Sequence, residues 1–231
     1  MTLRELGFRL LDTYRNAHKE AENIDIRHMI SFIESQRARF LKQRLSKPMY
    51  YINENIVQTL VGEPVQLIKS NNISITIDGI SLSDLGRDVL VTTRNIPKTI
   101  DQHSIPGTWL RVSPSDMLAV RILMTNHERA LTGGYGKFNY NDIYGFEYNG
   151  KVMITSRNPA VLEPITNLDL RGVFESPLAA MKLIYPIYSE TQLWDLEYPI
   201  SVDIVDDIEK AIINEKLNIP IQAQAPETPK E

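Results

Sequence analysis

Leu3, Leu6, Leu10, Tyr14, Ala17 and Ala21 recur at intervals of three and four, the spacing of one face of an α-helix, and Thr2 followed by Glu5 supplies a capping-box start. The pattern predicts a first helix to about residue 22. Asn23 and Asp25 interrupt it with side chains that favour helix caps, and Ile26, Met29, Ile30, Ile33, Phe40 and Leu41 restart the rhythm until Pro48. So short a link between two helices implies an antiparallel hairpin. From Pro64 to about Ser156 the texture changes to short β-branched or aromatic runs, VQLI, ISITI and DVLVTT, divided by Asn, Gly, Asp and Pro, which is the pattern of strands and turns. Within GFEYNGKVMIT, Asn149 and Gly150 can take the positive φ angles of a two-residue hairpin turn. The segment SPSDMLAVRILMTNHERAL admits two readings: Ser115 can cap a helix, favoured at the start of the segment, and Val120 to Met124 can pair as a strand.

Pro199 and Ser201 precede Ile204, Val205, Ile208, Ala211, Ile212 and Leu217, a final helix whose first turns carry Asp203, Asp206 and Asp207, as the helix dipole favours. The closing stretch NIPIQAQAPETPKE has three prolines and few large apolar side chains near its end, so it is expected to be extended unless a partner orders it. These elements predict an α+β fold. Residues 1–60 form an N-terminal helical hairpin and linker, 61–198 a β-rich region, 199–218 a C-terminal helix packing with the hairpin as a bundle, and 219–231 a tail. The β region, mainly antiparallel, is inserted between the helices of that bundle. No internal repeat is present, which removes solenoid and propeller readings.

With 231 residues, 42% hydrophobic and 23% charged, the chain has the composition of an ordinary folded protein, not of a disordered or collagen-like one. It has no cysteine, so disulfides, a thiol nucleophile and cysteine-ligated zinc are excluded, which fits assembly in the cytosol. The N-terminal residues lack the basic start and apolar core of a secretory signal, and no stretch reaches the length of a membrane span. No membrane partner is expected.

The net charge of −4 conceals a polarised chain: residues 1–47 carry ten Lys/Arg against six Asp/Glu, and residues 190–231 three against ten. Such asymmetry points to a charged end that meets nucleic acid or an acidic protein surface. The basic end is concentrated in SFIESQRARFLKQRLSKP, residues 31–48. Along it, Ile26, Ile30, Ile33, Arg37, Phe40 and Arg44 keep the alternating spacing of a buried seam, while Arg39 and Lys42 fall on roughly the opposite face. An arginine on a seam must snorkel to water or find a carboxylate, since an unpaired buried guanidinium costs several kcal/mol or more. Arg37 and Arg44 are therefore candidates for ion pairs with a neighbouring subunit or with the acidic final helix.

Catalytic constellations find little support. TGGYGKF at 132–138 has Leu131 and Phe138 where a phosphate-binding loop needs Gly and Ser or Thr, and it reads as a turn. His18, His28, His103 and His127 form no metal-ligand pair at helical spacing, and no G-x-S-x-G elbow nominates a nucleophile. Asp206 and Asp207 are adjacent, so on a helix they diverge instead of converging on a metal or substrate. Tyr135, Phe138, Tyr140, Tyr144, Phe146 and Tyr148 alternate as sheet packing does, with few cations nearby to track phosphates. No enzyme activity, metal or cofactor is expected. A nucleic-acid module using Arg37, Arg39, Lys42, Arg44 and Lys47 on phosphates is the alternative, and a hydrolase with dispersed catalytic residues a third reading.

Several stretches together resemble the head-to-tail connector, or ring, proteins of tailed bacteriophages, particularly the crAss-like podoviruses that infect Bacteroidetes. They are QRARFLKQRLSK, TTRNIPKTI, TWLRVSP, GFEYNGKVMIT, RGVFESP at 171–177 and YPISVDIVDDIEKAIINEKL, which span most of the chain in order. The resemblance implies a structural virion protein at the portal vertex, assembled in the host cytoplasm. It would form a ring, dodecameric in this family, between portal and tail, and the genome would pass through its channel without sequence-specific binding. The expected interface residues are Arg37, Arg39, Phe40, Lys42, Arg44, Asp203, Asp206, Asp207, Ile219 and Ile221.

Overall fold

A computed structural model describes residues 1–17, 24–47, 52–69, 76–77, 80–81, 88–100, 109–115, 122–125 and 141–214. Helix α1, Leu3–Ala17, begins as its capping box predicts: Thr2 N–H donates to Glu5 Oε2 (2.9 Å) and Glu5 N–H to Thr2 Oγ1 (3.1 Å). Helix α2, Ile26–Leu45, is capped by Asp25, whose carboxylate accepts from the Ile26 N–H at 2.6 Å. The stretch 18–23 and Pro48, to which the sequence pattern extended these helices, lie outside the described residues.

After a 3₁₀ turn at Glu54–Ile56 come the strands β1 (Gln58–Ile68), β2 (Thr76–Ile77), β3 (Ile80–Ser81), β4 (Val89–Thr92), β5 (Trp109–Pro114), β6 (Leu123–Met124), β7 (Ile143–Tyr148), β8 (Lys151–Ser156) and β9 (Asn167–Gly172). Helices α3 (Pro177–Ile184), α4 (Glu190–Leu193) and α5 (Val202–Asn214) follow. Seven strands form one sheet in the order β5-β9-β1-β4-β8-β7-β6, and β2 pairs only with β3. The sheet is mixed: β6 runs parallel to β7, and every other pairing is antiparallel. Its long strand β1, 11 residues, pairs with β9 along its first part and with β4 along its second. Gly62, at φ +70°, lies where the β1–β9 register slips between Leu60 and Glu63, and its N–H donates to Asp169 Oδ1 at 3.0 Å. The two sheet edges meet, because the Ile122 N–H beside β6 donates to Val112 C=O of β5 at 3.0 Å, giving a nearly closed barrel.

Strand alternation sorts the β core as a period of two requires. Leu90, Ile143, Val152 and Ile154 join Leu60, Val112, Leu168, Leu170 and Phe174 in one cluster, while Val89, Val91, Tyr144, Phe146 and Met153 make another. Tyr144 and Phe146 are thus packing residues, as their spacing indicated; Tyr135, Phe138 and Tyr140 lie outside the described residues, with the TGGYGKF turn. Strand β6 realises part of the strand reading of 120–124, whereas the helical start favoured for that segment falls on residues not described.

The expected bundle with a β insertion is corrected by this arrangement. The organising element is the seven-stranded mixed barrel, with five helices among the described residues packed about it. Leu6, Leu10, Ile33, Leu41, Ile204 and Ile208 of α1, α2 and α5 do share a core, but Ile56, Ile100, Val173, Met181 and Trp194 from the barrel rim and its connections belong to that same core. Helical periodicity reveals that each helix has an apolar stripe; it carries no information about what the stripe faces.

The hairpin at Asn149–Gly150 forms as its sequence predicts, with φ of 54° and 70° at the two residues and Tyr148 opposite Lys151. Gly150→Ala places a Cβ in the left-handed region and is expected to lower stability by about 1–2 kcal/mol. A urea denaturation midpoint unchanged from the native chain would contradict the turn assignment.

Candidate assembly surface around the second helix

Helix α2 lays Met29, Ile30, Ile33, Arg37, Leu41 and Leu45 into the core. Arg37, at 0% exposure, is the largest fully buried side chain among the described residues. It neither snorkels nor meets a carboxylate. Its Nε–H donates to Pro199 C=O at 2.7 Å, Nη1 to Phe174 C=O at 2.9 Å and Nη2 to Ile56 C=O at 3.3 Å, and its guanidinium lies 5.8 Å from the centre of the Tyr198 ring. One side chain therefore ties α2 to the turn before β1, the residue that follows β9 by two positions, and the approach to α5. Burial pulls its pKa below the usual arginine value, with the nearby Glu34 charge opposing that shift, and burial raises the Tyr198 phenol.

Glu34, one turn before Arg37, is half-buried, and its Oε1 accepts from Ser176 Oγ at 3.0 Å and from the Leu178 N–H at 3.4 Å. It holds the start of α3, where Ser176 is the N-cap, against α2. Burial raises its carboxyl above the ordinary 4.5, against the pull of those two hydrogen bonds and of Arg37.

Arg44, the second seam arginine, turns to the final helix, where it pairs with Asp203 and with Asp207, the latter at 2.5 Å. Phe40 packs half-buried against the helical core. Lys42 pairs with Glu175 just beyond β9. Arg39 is exposed; it donates to Gln36 Oε1 at 3.4 Å and lies 6.0 Å from the Phe40 ring centre. The structure thus brings Arg44, Asp203 and Asp207 together, sets Asp206 on another side of α5, exposed, and leaves Ile219 and Ile221 outside the described residues. Sequence reasoning missed the three carbonyls that receive Arg37, because a backbone acceptor has no residue signature. Glu34 carried a signal, as the one carboxylate within the basic run.

His28 is exposed, and the other three histidines lie outside the described residues. Among the described residues no group of three or more His, Cys, Asp or Glu is placed to hold a metal ion, and no helix is long and apolar enough to cross a membrane.

Charged side chains of α2 thus join it to the start of α3, to α5 and to the residue after Phe174. The family described as phage tail ring protein 2, of the crAss type, matches residues 8–231, and the chain belongs to that family. No curated protein matches it. It is a structural component of a phage tail and hence of the virion, and a ring protein acts by associating with its own copies. The resemblance read from QRARFLKQRLSK through YPISVDIVDDIEKAIINEKL agrees with this membership.

A raised folded-state pKa means that folded Glu34 keeps its proton to higher pH than the unfolded chain does. Its contribution to stability is therefore full below about 4.5 and falls as pH rises through the folded value. Glu34→Gln removes the titration while keeping an acceptor, so the variant's urea midpoint relative to the native chain should improve between about pH 4.5 and pH 7. A difference that stays flat or moves the other way would refute the raised carboxyl.

Proposed function

We propose that this tail ring component is a head-to-tail connector, a ring between the portal and the tail of a short-tailed phage that supports the channel through which genomic DNA passes. The observation that carries the proposal is the family match over residues 8–231, almost the whole chain. Ring symmetry is proposed as twelvefold, with assembly in the host cytoplasm and portal and neighbouring tail proteins as partners. The role is structural and not catalytic.

The charge layout supports this reading. Arg39 on the outer edge of α2 and Asp206 at the start of α5 are exposed charges of opposite sign, whereas Lys42 and Asp203 are held in ion pairs within the chain. Complementary fields of this kind orient subunits as they approach and suppress wrong registers. Residues 219–231, with Ile219 and Ile221, are proposed to be ordered on a partner and so to lock the joint. The residue ranges 1–60 and 199–218 are proposed to form the side that meets the portal or neighbouring copies.

Nucleic-acid binding through the basic run is disfavoured by the commitments of its cations. Arg37 is fully buried, Arg44 is held by two aspartates and Lys42 by Glu175.

Electron-microscopy class averages of the purified protein, alone and mixed with its portal protein, are expected to show a ring that docks coaxially on the portal. Averages with no ring, or a ring that does not bind the portal, would contradict the connector role.

A further inference from the structure

The link between α3 and α4 holds apolar side chains out in solvent. In the run IYPIY, residues 184–188, Ile184, Tyr185 and Tyr188 are exposed, and Ile187, at 93%, is the most exposed large apolar side chain among the described residues. The loop is nonetheless firmly made. Tyr185 N–H donates to Met181 C=O at 2.8 Å as α3 ends, and Tyr188 N–H donates to Tyr185 C=O at 3.1 Å, closing a β-turn with Pro186 in its second position and Ile187 at its tip. The Tyr185 and Tyr188 rings stack across that turn, 5.3 Å between centres and 24° from parallel, and the Ser189–Gln192 capping box fixes the exit into α4.

Apolar side chains exposed one at a time are ordinary, but four on one turn mark a contact surface. A tip already held in one conformation also loses little further freedom when it meets a partner. The same chain carries a surface that suits it. Beside the first turn of α5 opens a groove of about 660 Å³, where Val202 and Met1 stand out to solvent at 76% and 47%, Val57 is half-buried, and Ile200 and Val205 are buried. None of residues 184–188 lines this groove, so tip and groove are separate surfaces.

Their polar groups match as well. The hydroxyls of Tyr185 and Tyr188 make no hydrogen bond among the described residues, and each tyrosine brings an apolar ring with a donor at its end. In the groove lining Glu197 and Asp206 are exposed and make no ion pair among the described residues. A phenol O–H that donates to a carboxylate makes a charge-assisted hydrogen bond. The chain belongs to a ring family, and in a closed ring each copy joins its neighbours through two different surfaces. Interfaces between like copies are also more apolar than passing contacts, which makes a second copy the occupant that fits both the tip and the groove.

We propose that the Tyr185–Tyr188 turn of each copy enters the groove beside α5 of the next copy in the ring, with Ile187 against Val202 and Met1 and the tyrosine hydroxyls toward Glu197 and Asp206. This rests on the ring reading above and adds the contact that joins the copies. Ile187→Asp and Val202→Asp alter exposed side chains, the second at the start of a helix where a carboxylate is favoured, so each isolated variant should keep the native circular dichroism and urea midpoint. Each is expected to reduce the ring population seen by native mass spectrometry by about tenfold or more. Because the native chain has no cysteine, a short bis-maleimide has only two thiols to join in an Ile187→Cys/Val202→Cys variant. That variant should give a ladder of covalent multimers on a denaturing gel, whereas a mixture of the two single-cysteine variants should stop at dimers. Rings that persist in either aspartate variant, or assembled double-cysteine rings that give no ladder, would overturn this contact while leaving the ring itself intact. Aspartate variants that form rings but no longer dock on the portal would overturn it too, by assigning the turn to that partner. Absence of rings from the native chain under every condition, portal included, would remove both.

Discussion

The fold depends on a buried cation that has no counter-ion in direct contact. Removing a guanidinium from water costs several kcal/mol, and Arg37 offsets this with three hydrogen bonds to main-chain carbonyls, each charge-assisted and worth about 1.5–3 kcal/mol, plus the face of Tyr198. The acceptors come from Ile56, Phe174 and Pro199, three points far apart in sequence. No apolar side chain of similar volume can select all three, since hydrophobic contact is non-directional whereas a planar fork of N–H donors is not. Arg37 therefore sets the seat of α2 on the barrel rim, and that seat in turn presents the outer faces of α2 and α5.

That seating bears on assembly. Arg44 draws α5 against α2, Glu34 secures α3, and Arg94 makes a two-point contact with the buried Glu63 of β1, at 2.6 and 3.1 Å, and also reaches Leu183 C=O of α3. The helical side and the barrel are in this way joined by directed polar contacts as well as by a shared apolar core. A ring subunit benefits from such joints, because a small angular error at each interface accumulates around a closed ring.

Much of this was legible in the chain, at the level of individual elements. Thr2 and Glu5 announced the start of α1, Asp25 that of α2, and Asn149–Gly150 the hairpin, because each depends on chemistry within a few residues. The seam through Ile30, Ile33 and Arg37 was equally readable from helical phase. What failed was the inference from stripes to architecture. The mixed barrel arises from pairings such as Leu60 with Leu170 and from the meeting of Val112 and Ile122, none of which leaves a local trace. Of the two seam arginines, Arg44 does reach carboxylates of the final helix, whereas for Arg37 the rule of water or a carboxylate omitted the third solution, several carbonyls, which only the assembled fold can supply.

Hydrogen exchange in the native chain and in Arg37→Met tests the central claim most directly, since methionine keeps much of the apolar volume but none of the donors. The account predicts a joint loss of protection at three separate places: the turn and β1 start near Ile56, the end of β9 near Phe174, and the first turn of α5 after Pro199. A loss confined to α2, or no loss at all, would contradict the view that this one side chain holds the helices to the barrel.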